Sequence, residues 1–209
     1  MGEIVMILAG PALAAMISRC APGVRPSTIE AIIRVESGGQ KYALNDNTSG
    51  RRYFPATADD AVALLTKLVD QGHKVDAGLM QIDTENFAKY GLTPATVFNV
   101  CTNIKTGAAI FRDGYVRAKN AGFSGQPAVF HAFEAYNSGR LFGDAGYANT
   151  VFREAGLPVQ ISSGVYKIIY HHLPKKSWSG SPFSAEWNPG AGGSDNKKRE
   201  MFATSWHVK

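Results

Sequence analysis

The chain has 209 residues, of which 44% are apolar and 19% are charged. This ordinary globular balance excludes global disorder and collagen-like or coiled-coil character. The length suits one domain of roughly 150 to 170 residues with an appendage, or two very small domains.

The net charge of +5 comes from 22 basic and 17 acidic residues and is spread unevenly. Residues 175–209 hold six basic and three acidic residues, so +3 of the charge belongs to this stretch. Basic and aromatic residues are not interleaved in the preceding part of the chain, which argues against a nucleic-acid groove. We therefore expect no nucleic-acid partner, and contact with a polyanionic surface such as a cell wall fits the charge at least as well.

The N-terminal stretch at residues 4–17 is apolar but too short to span a membrane as a helix. A signal peptide would carry basic residues before it, whereas the charge there is Glu3. We predict a first core helix over 12–20 and leave 1–11 as an N-terminal segment, with a signal remnant as the alternative. In such a helix one face is shared by Leu13, Met16, Ile17 and Cys20.

The next segments predict helices separated by one polar stretch. The capping-box pattern Ser27–Glu30 predicts the start of a helix that ends at the glycines after Ser37. Residues 40–56 are interpreted as loop, and Thr57 opens a second helix that ends at Gln71.

The following stretch, residues 75–83, is predicted to be strand or loop because it is short, partly apolar and punctuated by glycine. The remaining helices are predicted to begin at Thr84, at Thr93-Pro94, at about 102, at Pro127 and at about 144. The sequence thus predicts a mostly α (α+β) fold with one small β-hairpin or non-helical patch.

After Gly156 the signals weaken, and 156–173 is left as an extension of uncertain structure in which 164–171 suits strand or helix. Residues 174–209 are rich in Pro, Gly, Ser, Lys and Asn and are predicted to form a flexible basic tail. Its aromatic residues exceed what a linker needs and leave a docking role open: Trp178, Phe183, Trp187 and Trp206.

The two cysteines, Cys20 and Cys101, form no C-x-x-C motif, and the five histidines show no metal-ligand spacing. We therefore expect no metal and no cofactor. The cysteines are either two buried free thiols or a disulfide formed in an oxidising compartment.

Glu36 is the most informative position. It follows Ile29 by seven residues and Ile32 by four, so it lies on the apolar face of its helix, in the last turn. Burial and the helix dipole both raise the pKa of a carboxyl group placed there. A carboxylic acid that stays protonated near neutral pH suits general acid catalysis, unless the helix has frayed and Glu36 points to water.

Four short segments place Glu36 in a family context. Their order resembles the soluble lytic transglycosylases, which have a lysozyme-like fold, over residues 12–155. The segments are Glu36-Ser37, Gly78-Leu79-Met80-Gln81-Ile82, Ala135-Tyr136-Asn137-Ser138-Gly139 and Gly146-Tyr147.

Further features resemble, more narrowly, the VirB-type transglycosylases of type IV secretion and conjugation systems. They are Cys20-Ala21-Pro22, Gly72-His73-Lys74-Val75-Asp76 and Cys101-Thr102-Asn103-Ile104 with Gly107-Ala108. The chain departs from that pattern at Asp83, where asparagine is usual, at Val100, where proline is common, and in its long 45–56 segment.

The resemblance implies cleavage of the MurNAc–GlcNAc β-1,4 bond of peptidoglycan, without metal or cofactor. Glu36 would protonate the glycosidic oxygen and then, as a base, accept the proton of the sugar's own 6-hydroxyl, which closes a 1,6-anhydro ring. The alternatives are a lysozyme-type hydrolase of the same bond and a non-catalytic wall-binding assembly module.

The resemblance also assigns substrate-binding roles, each with a structural alternative. Met80 and Gln81 would line the cleft, and Tyr136 and Asn137 would contact the substrate. Two further residues complete the predicted site. Ser37 would hydrogen-bond locally, and Tyr147 would hold Glu36. Core packing is the alternative for Met80, Tyr136 and Tyr147, and helix capping is the alternative for Asn137.

Three acids are candidate second carboxylates, although surface or structural charges explain them more simply: Asp76, Asp83 and Glu134.

The expected partners are peptidoglycan glycan strands and, through the C-terminal tail, components of a type IV secretion system. The expected location is the periplasm of a Gram-negative bacterium, with no stable membrane span. In that oxidising compartment we predict a Cys20–Cys101 disulfide.

Overall fold

The computed structural model describes residues 7–156, 159–162 and 165–170. Eight α-helices and six strands occur in this part of the chain. In order they are α1 Gly10–Cys20, α2 Pro26–Ser37, β1 Leu44–Asp46, β2 Arg51–Tyr53, α3 Ala58–Asp70, β3 Val75–Ala77, β4 Ile82–Asp83, α4 Phe87–Tyr90, α5 Pro94–Val97, α6 Val100–Asn120, α7 Gly125–Ser138, α8 Ala145–Glu154, β5 Val159–Ser162 and β6 Val165–Tyr170.

The core lies where α6, α7 and α8 pack together against α2. Phe111 of α6 and Phe133 of α7 have ring centroids 5.0 Å apart, and Phe152 of α8 meets Phe133 edge-on at 5.5 Å. All three rings are fully buried, so this cluster removes a large apolar area from water. The mostly helical architecture with a small sheet agrees with the sequence prediction.

Helix α2 begins differently from the prediction. It starts at Pro26, one residue before the predicted cap, and its N-cap residue Arg25 makes no side-chain cap hydrogen bond. Proline suits the first helical position because its fixed φ is helical and its missing N–H would have no partner there. The predicted capping box is therefore wrong, and Glu30 instead pairs with Arg34 one turn later, at 2.7 Å.

The interpretation of 40–56 as loop is also wrong, because this segment contains β1 and β2. They belong to a four-stranded antiparallel sheet in the order β2-β1-β3-β4. The connecting turn is built on Asp46, whose carboxylate accepts hydrogen bonds from the N–H groups of Thr48 and Ser49, at 3.0 and 3.2 Å, and lies 2.8 Å from Nδ1 of His73. Polar side chains rather than an apolar alternation define this hairpin, so the strand signal in the sequence is weak.

Several helix boundaries differ from the predicted ones because of their caps. Asp83 rather than Thr84 caps the 3₁₀ turn that precedes α4. Helix α6 begins at Val100, since the side chain of Asn99 accepts from the N–H of Thr102 at 3.0 Å. Helix α7 begins at Gly125, two residues before Pro127.

The predicted first core helix is confirmed as α1, with Leu13, Ile17 and Cys20 buried. The disulfide between Cys20 and Cys101 is also present, with a Cα–Cα distance of 5.2 Å. It joins the end of α1 to the first turn of α6, and the described residues contain no free cysteine.

At the C-terminal side, β5 and β6 pair as an antiparallel hairpin, so most of the segment left open at 164–171 is strand. The predicted tail 174–209, with its aromatic residues, lies outside the described residues, as do residues 1–6 of the N-terminal segment. None of the described helices is both long and apolar enough to cross a membrane.

Candidate active site

A cleft of about 1250 Å³ runs between the sheet and the helices. The end of α2 contributes Glu36, the sheet contributes its exposed face, and α6, α7 and α8 contribute the opposite wall. Of the residues predicted for the site, five line the cleft with Glu36: Ser37, Gln81, Tyr136, Asn137 and Tyr147. Positions that are up to 111 residues apart in the sequence thus meet in one groove.

Glu36 lies in the last turn of α2. Its carboxyl group faces the cleft, although most of the side chain is buried. Burial raises the pKa of its carboxyl group to about 7, with a further increase from the nearby charge of Asp76. The hydrogen bond from Tyr147 and the charge of Arg52 act in the opposite direction but are outweighed. The carboxyl group can therefore hold or release a proton near neutral pH.

Tyr147 holds the Glu36 carboxyl group from the other side of the cleft. Its hydroxyl donates to Oε1 of Glu36 at 2.5 Å. The first turn of α8 fixes Tyr147, because the carboxylate of Asp144 caps this helix by accepting from the N–H of Tyr147 at 3.0 Å. The contact between α2 and α8 therefore orients the acid.

Helix α7 ends in the cleft and delivers Tyr136 and Asn137. The hydroxyl of Tyr136 donates to the carbonyl oxygen of Met80 at 2.6 Å, and burial raises the pKa of this hydroxyl well above its usual value. Asn137 is exposed, and no hydrogen bond holds its side chain within the described part of the chain. Tyr136 thus braces the floor of the cleft, whereas Asn137 offers its amide to a ligand.

Met80 does not line the cleft as the sequence prediction held. Its side chain is fully buried against α6, where a Cβ at Gly107 would lie 2.4 Å from its Sδ atom. The neighbouring Gln81 does reach the cleft, with a positive φ of 45°. Its amide Nε2 donates to the carbonyl oxygens of Gly78 and Ala43, at 2.7 and 3.1 Å, so the side chain is held in place.

Ser37 is buried, and its hydroxyl is engaged inside the protein rather than turned to a substrate. Its Oγ donates to the carbonyl oxygen of Leu79 at 2.8 Å and accepts from the N–H of Gly39 at 3.2 Å. These bonds tie the end of α2 to the segment that carries Gln81, and the substrate-binding role of Ser37 stays a prediction. Ser37 acts on the site by positioning its neighbours.

The sheet turns a row of four polar side chains toward the cleft, one from each strand, which we call the cross-strand row. Asn45 lies opposite both Arg52 and Asp76, and Asp76 lies opposite Asp83. All four line the cleft. The sequence prediction missed Arg52 and Asn45 because it treated 40–56 as loop, and residues 51–54, two arginines followed by two aromatic residues, offer no apolar–polar alternation that would have indicated a strand.

The three candidate second carboxylates separate in the structure. Asp76 and Asp83 face the cleft as members of the cross-strand row. Glu134 does not: it is 1% exposed and its Oε2 lies 2.6 Å from Nδ1 of His131, one turn earlier on the same helix. Glu134 is a buried structural acid, because its position on α7 faces the core and the α7–α8 connection rather than the groove.

Within the described residues, no group of histidine, cysteine and acidic side chains has the geometry to hold a metal ion. The chemistry that the arrangement itself offers is a single carboxyl group with a pKa near neutrality, held by a tyrosine, in a groove lined by amides and charges.

A largely buried acid at the end of a helix, facing a groove beside a small sheet, is the arrangement expected of the lysozyme-like fold that the sequence resembles, and the comparison with family models agrees. The model of the Transglycosylase SLT domain matches residues 15–149. The chain belongs to this family, and its fold is the lysozyme-like fold expected from the sequence.

Curated relatives give a narrower likeness. The chain is 32% identical over 142 residues to Protein virB1 of Rhizobium radiobacter, covering 68% of this chain and 58% of the relative. It is 33% identical over 141 residues to Protein virB1 of Agrobacterium fabrum, covering 68% and 56%. To Type IV secretion system protein virB1 of Brucella abortus biovar 1 it is 36% identical over 127 residues, covering 60% and 53%.

The aligned part of the chain thus spans a little over half the length of these relatives. No solved structure matches the chain.

Proposed function

We propose that the protein is a lytic transglycosylase that cleaves the MurNAc–GlcNAc β-1,4 bond of peptidoglycan. Glu36 donates its proton to the glycosidic oxygen as the C1–O bond breaks, and positive charge develops on the departing sugar. The ionised Glu36 then accepts the proton of the sugar's 6-hydroxyl as O6 bonds to C1. The products are a 1,6-anhydro end and a free 4-hydroxyl, with no water consumed.

The observation that carries this proposal is the pKa of about 7 for a carboxyl group that opens into the cleft. One group must serve as acid and then as base, and this works best when its pKa lies near the working pH. The Tyr147 hydroxyl supports the second half of the cycle, because its hydrogen bond stabilises the ionised carboxylate.

The similarity to the virB1 proteins supports a setting for this activity. We propose that the enzyme acts in the periplasm of a Gram-negative bacterium and opens the wall for a type IV secretion or conjugation apparatus. In this proposal residues 12–155 form the catalytic domain and the basic tail 174–209 contacts components of that apparatus. The Cys20–Cys101 disulfide is consistent with an oxidising compartment.

The test is mass spectrometry of the products released from purified peptidoglycan. We expect fragments with 1,6-anhydro ends from the wild-type protein and a loss of at least about a thousandfold in rate for Glu36→Gln, which cannot donate a proton. Full wall-degrading activity in the purified variant would show that the catalytic assignment is wrong. Absence of activity in the wild type would favour the non-catalytic wall-binding module.

Hydrolysis of the same bond is the second candidate. The observation that favours it is the position of the Asp76 carboxylate in the cleft. This carboxylate lines the cleft and its charge raises the pKa of Glu36. Two carboxyl groups in one groove are what most glycoside hydrolases use, the second to activate water or to attack the sugar. Reducing ends in place of 1,6-anhydro ends would establish hydrolysis.

A further inference from the structure

The cross-strand row carries an uneven distribution of charge. Arg52 lies at the β2 edge, Asn45 follows, and the carboxylates of Asp76 and Asp83 occupy the other half. Because opposite charges lie at the two ends of the row, a ligand with an anionic substituent is attracted to the β2 edge and repelled from the β4 edge. The groove therefore distinguishes the two ends of a charged chain.

The guanidinium of Arg52 is available to such a ligand. Within the described residues no ion pair or hydrogen bond engages it. The acid Asp76 lies two strands away in the row, on the other side of Asn45. Asp76 takes its hydrogen bonds from the amides of Asn45 and Asn47 instead, at 3.3 and 2.9 Å. A planar guanidinium of this kind is suited to binding a carboxylate through two parallel hydrogen bonds.

Phe54 lies beside Arg52 on the same side of the chain. Side chains alternate along an extended strand, and Tyr53 packs against the core, so Arg52 and Phe54 both turn toward the cleft. Phe54 is 47% exposed, and among the exposed large apolar side chains of the described residues it is the one that lines the cleft. An aromatic ring exposed in a polar groove offers a flat surface to the C–H face of a sugar.

We propose that Arg52 and Phe54 form a substrate subsite at the β2 edge of the cleft. Phe54 stacks on the apolar face of a sugar ring, and Arg52 binds a carboxylate carried by that sugar's substituent. This inference rests on the proposed function, because peptidoglycan supplies both groups. The carboxylate comes either from the peptide stem or from the bare lactyl group of a strand that has lost its peptides.

Binding is measured in the Glu36→Gln background, so that neither turnover nor the charge of Glu36 contributes. The three probes, titrated by calorimetry, are soluble glycan fragments with peptide stems, the same fragments after an amidase has removed the peptides, and chito-oligosaccharides that lack a carboxylate. We expect Arg52→Gln to weaken binding of a carboxylate-bearing probe about tenfold and to leave chito-oligosaccharide binding unchanged. We expect Phe54→Ala to weaken binding of all three about three- to tenfold.

The chain offers matched controls for both positions. Arg51 precedes Arg52 on the same strand, is exposed and does not line the cleft, so Arg51→Gln makes the same change in net charge and should not alter binding. Phe54→Tyr keeps the ring and should retain most of the affinity. Thermal unfolding of each variant shows whether the fold is intact.

The outcomes assign the source of the carboxylate or overturn the subsite. A loss for Arg52→Gln with stem-bearing fragments alone identifies the stem carboxylate, and a loss with the amidase-treated fragments alone identifies the lactyl carboxylate. A loss with both shows that the subsite accepts either carboxylate. Equal losses for Arg52→Gln with chito-oligosaccharides, or unchanged binding for either variant, would overturn the proposal. Failure of the proposed function appears elsewhere, as an absence of cleavage products from the wild-type protein.

Discussion

Glu36 illustrates at the scale of one residue how a buried acid opposes stability. Its carboxyl group has a pKa of about 7 in the folded protein, above the value of 4.5 expected in the unfolded chain. The folded state therefore binds more protons between these two values, so the free energy of unfolding falls as the pH rises through about 7. The ionised form of this partly buried carboxylate is therefore a destabilising element.

We therefore predict that Glu36→Gln stabilises the protein in a pH-dependent way. At pH 4 both forms are neutral at this position and should have similar stability, whereas by pH 8 the variant should have gained up to about 3 kcal/mol relative to the wild type. Urea unfolding at both pH values measures the difference. A gap that does not change with pH would contradict the raised pKa.

Tyr147 provides a second prediction at this scale. Its hydroxyl stabilises the ionised form of Glu36, so Tyr147→Phe should raise the pKa of Glu36 further, by about one unit for a hydrogen bond to a charged group. In the proposed mechanism the protonated form of Glu36 begins the reaction, so the fall of kcat/KM at alkaline pH should move to higher pH.

Tyr53→Phe is the control for this measurement, because Tyr53 packs against the core outside the cleft. Its kcat/KM profile should coincide with that of the wild type. An unshifted profile for Tyr147→Phe would show that the hydroxyl does not control the proton affinity of Glu36.

At the scale of elements, the segment between β3 and β4 depends on one buried side chain of α6. The amide of Asn103 donates to the carbonyl oxygens of Ala77 and Val97, each at 3.0 Å, and its Oδ1 accepts from the N–H of Met80 at 2.8 Å. The approach is so close that a Cβ at Gly78 would lie 2.4 Å from Nδ2 of Asn103. These contacts fix the backbone that presents Gln81 to the cleft.

Asn103→Ala should destabilise the protein by about 3 kcal/mol, because it leaves three buried backbone groups without partners. The exposed Asn120 of the same helix is the matched control, and Asn120→Ala should change stability by less than about 0.5 kcal/mol. Urea unfolding compares the two variants. Equal stabilities would show that the Asn103 contacts contribute no net stability.

The hairpin formed by β1 and β2 shows why an element escapes prediction. Its strands have three residues each, and its turn is held by the carboxylate of Asp46, whose partner His73 is 27 residues away. Burial alone would raise the pKa of Asp46, but its hydrogen bonds, from Ser49 and His73 foremost, hold it at about 2. Long-range polar contacts therefore stabilise this element. A prediction based on the local pattern of apolar residues cannot detect such contacts.

At the scale of the whole molecule, the disulfide connects the N-terminal helix to the longest helix. Cys20 and Cys101 are separated by 81 positions, so the bond constrains a large part of the unfolded chain. In the chain-entropy model its loss costs about 4–5 kcal/mol. We predict that a reductant lowers the urea midpoint of the wild-type protein accordingly.

The double variant Cys20→Ser with Cys101→Ser is the control, since its midpoint should not respond to the reductant. Titration of the unreduced wild-type protein should find no reactive thiol. Two titratable thiols would contradict the bond and, with it, an oxidising location.

The sequence by itself determined the helical framework and singled out the acid at the end of α2 that lines the cleft. Glu36 was predictable because a helix fixes its side-chain directions, so the spacing from Ile29 and Ile32 places it on the apolar face. The order of the short motifs determined the family, and Tyr147 as the residue that holds Glu36 followed from that resemblance.

Only the tertiary structure decided which neighbours reach the groove. Both Met80 and Gln81 were expected in the cleft, but Met80 is buried in the core and Gln81 alone lines the cleft. Gln81 has a positive φ, and no regular period assigns side-chain directions at such a position. Glu134 is buried beside His131, whereas Asp76 and Arg52 join the cleft wall through pairing across strands. Each of these placements depends on contacts between distant segments, and local sequence patterns carry no record of such contacts.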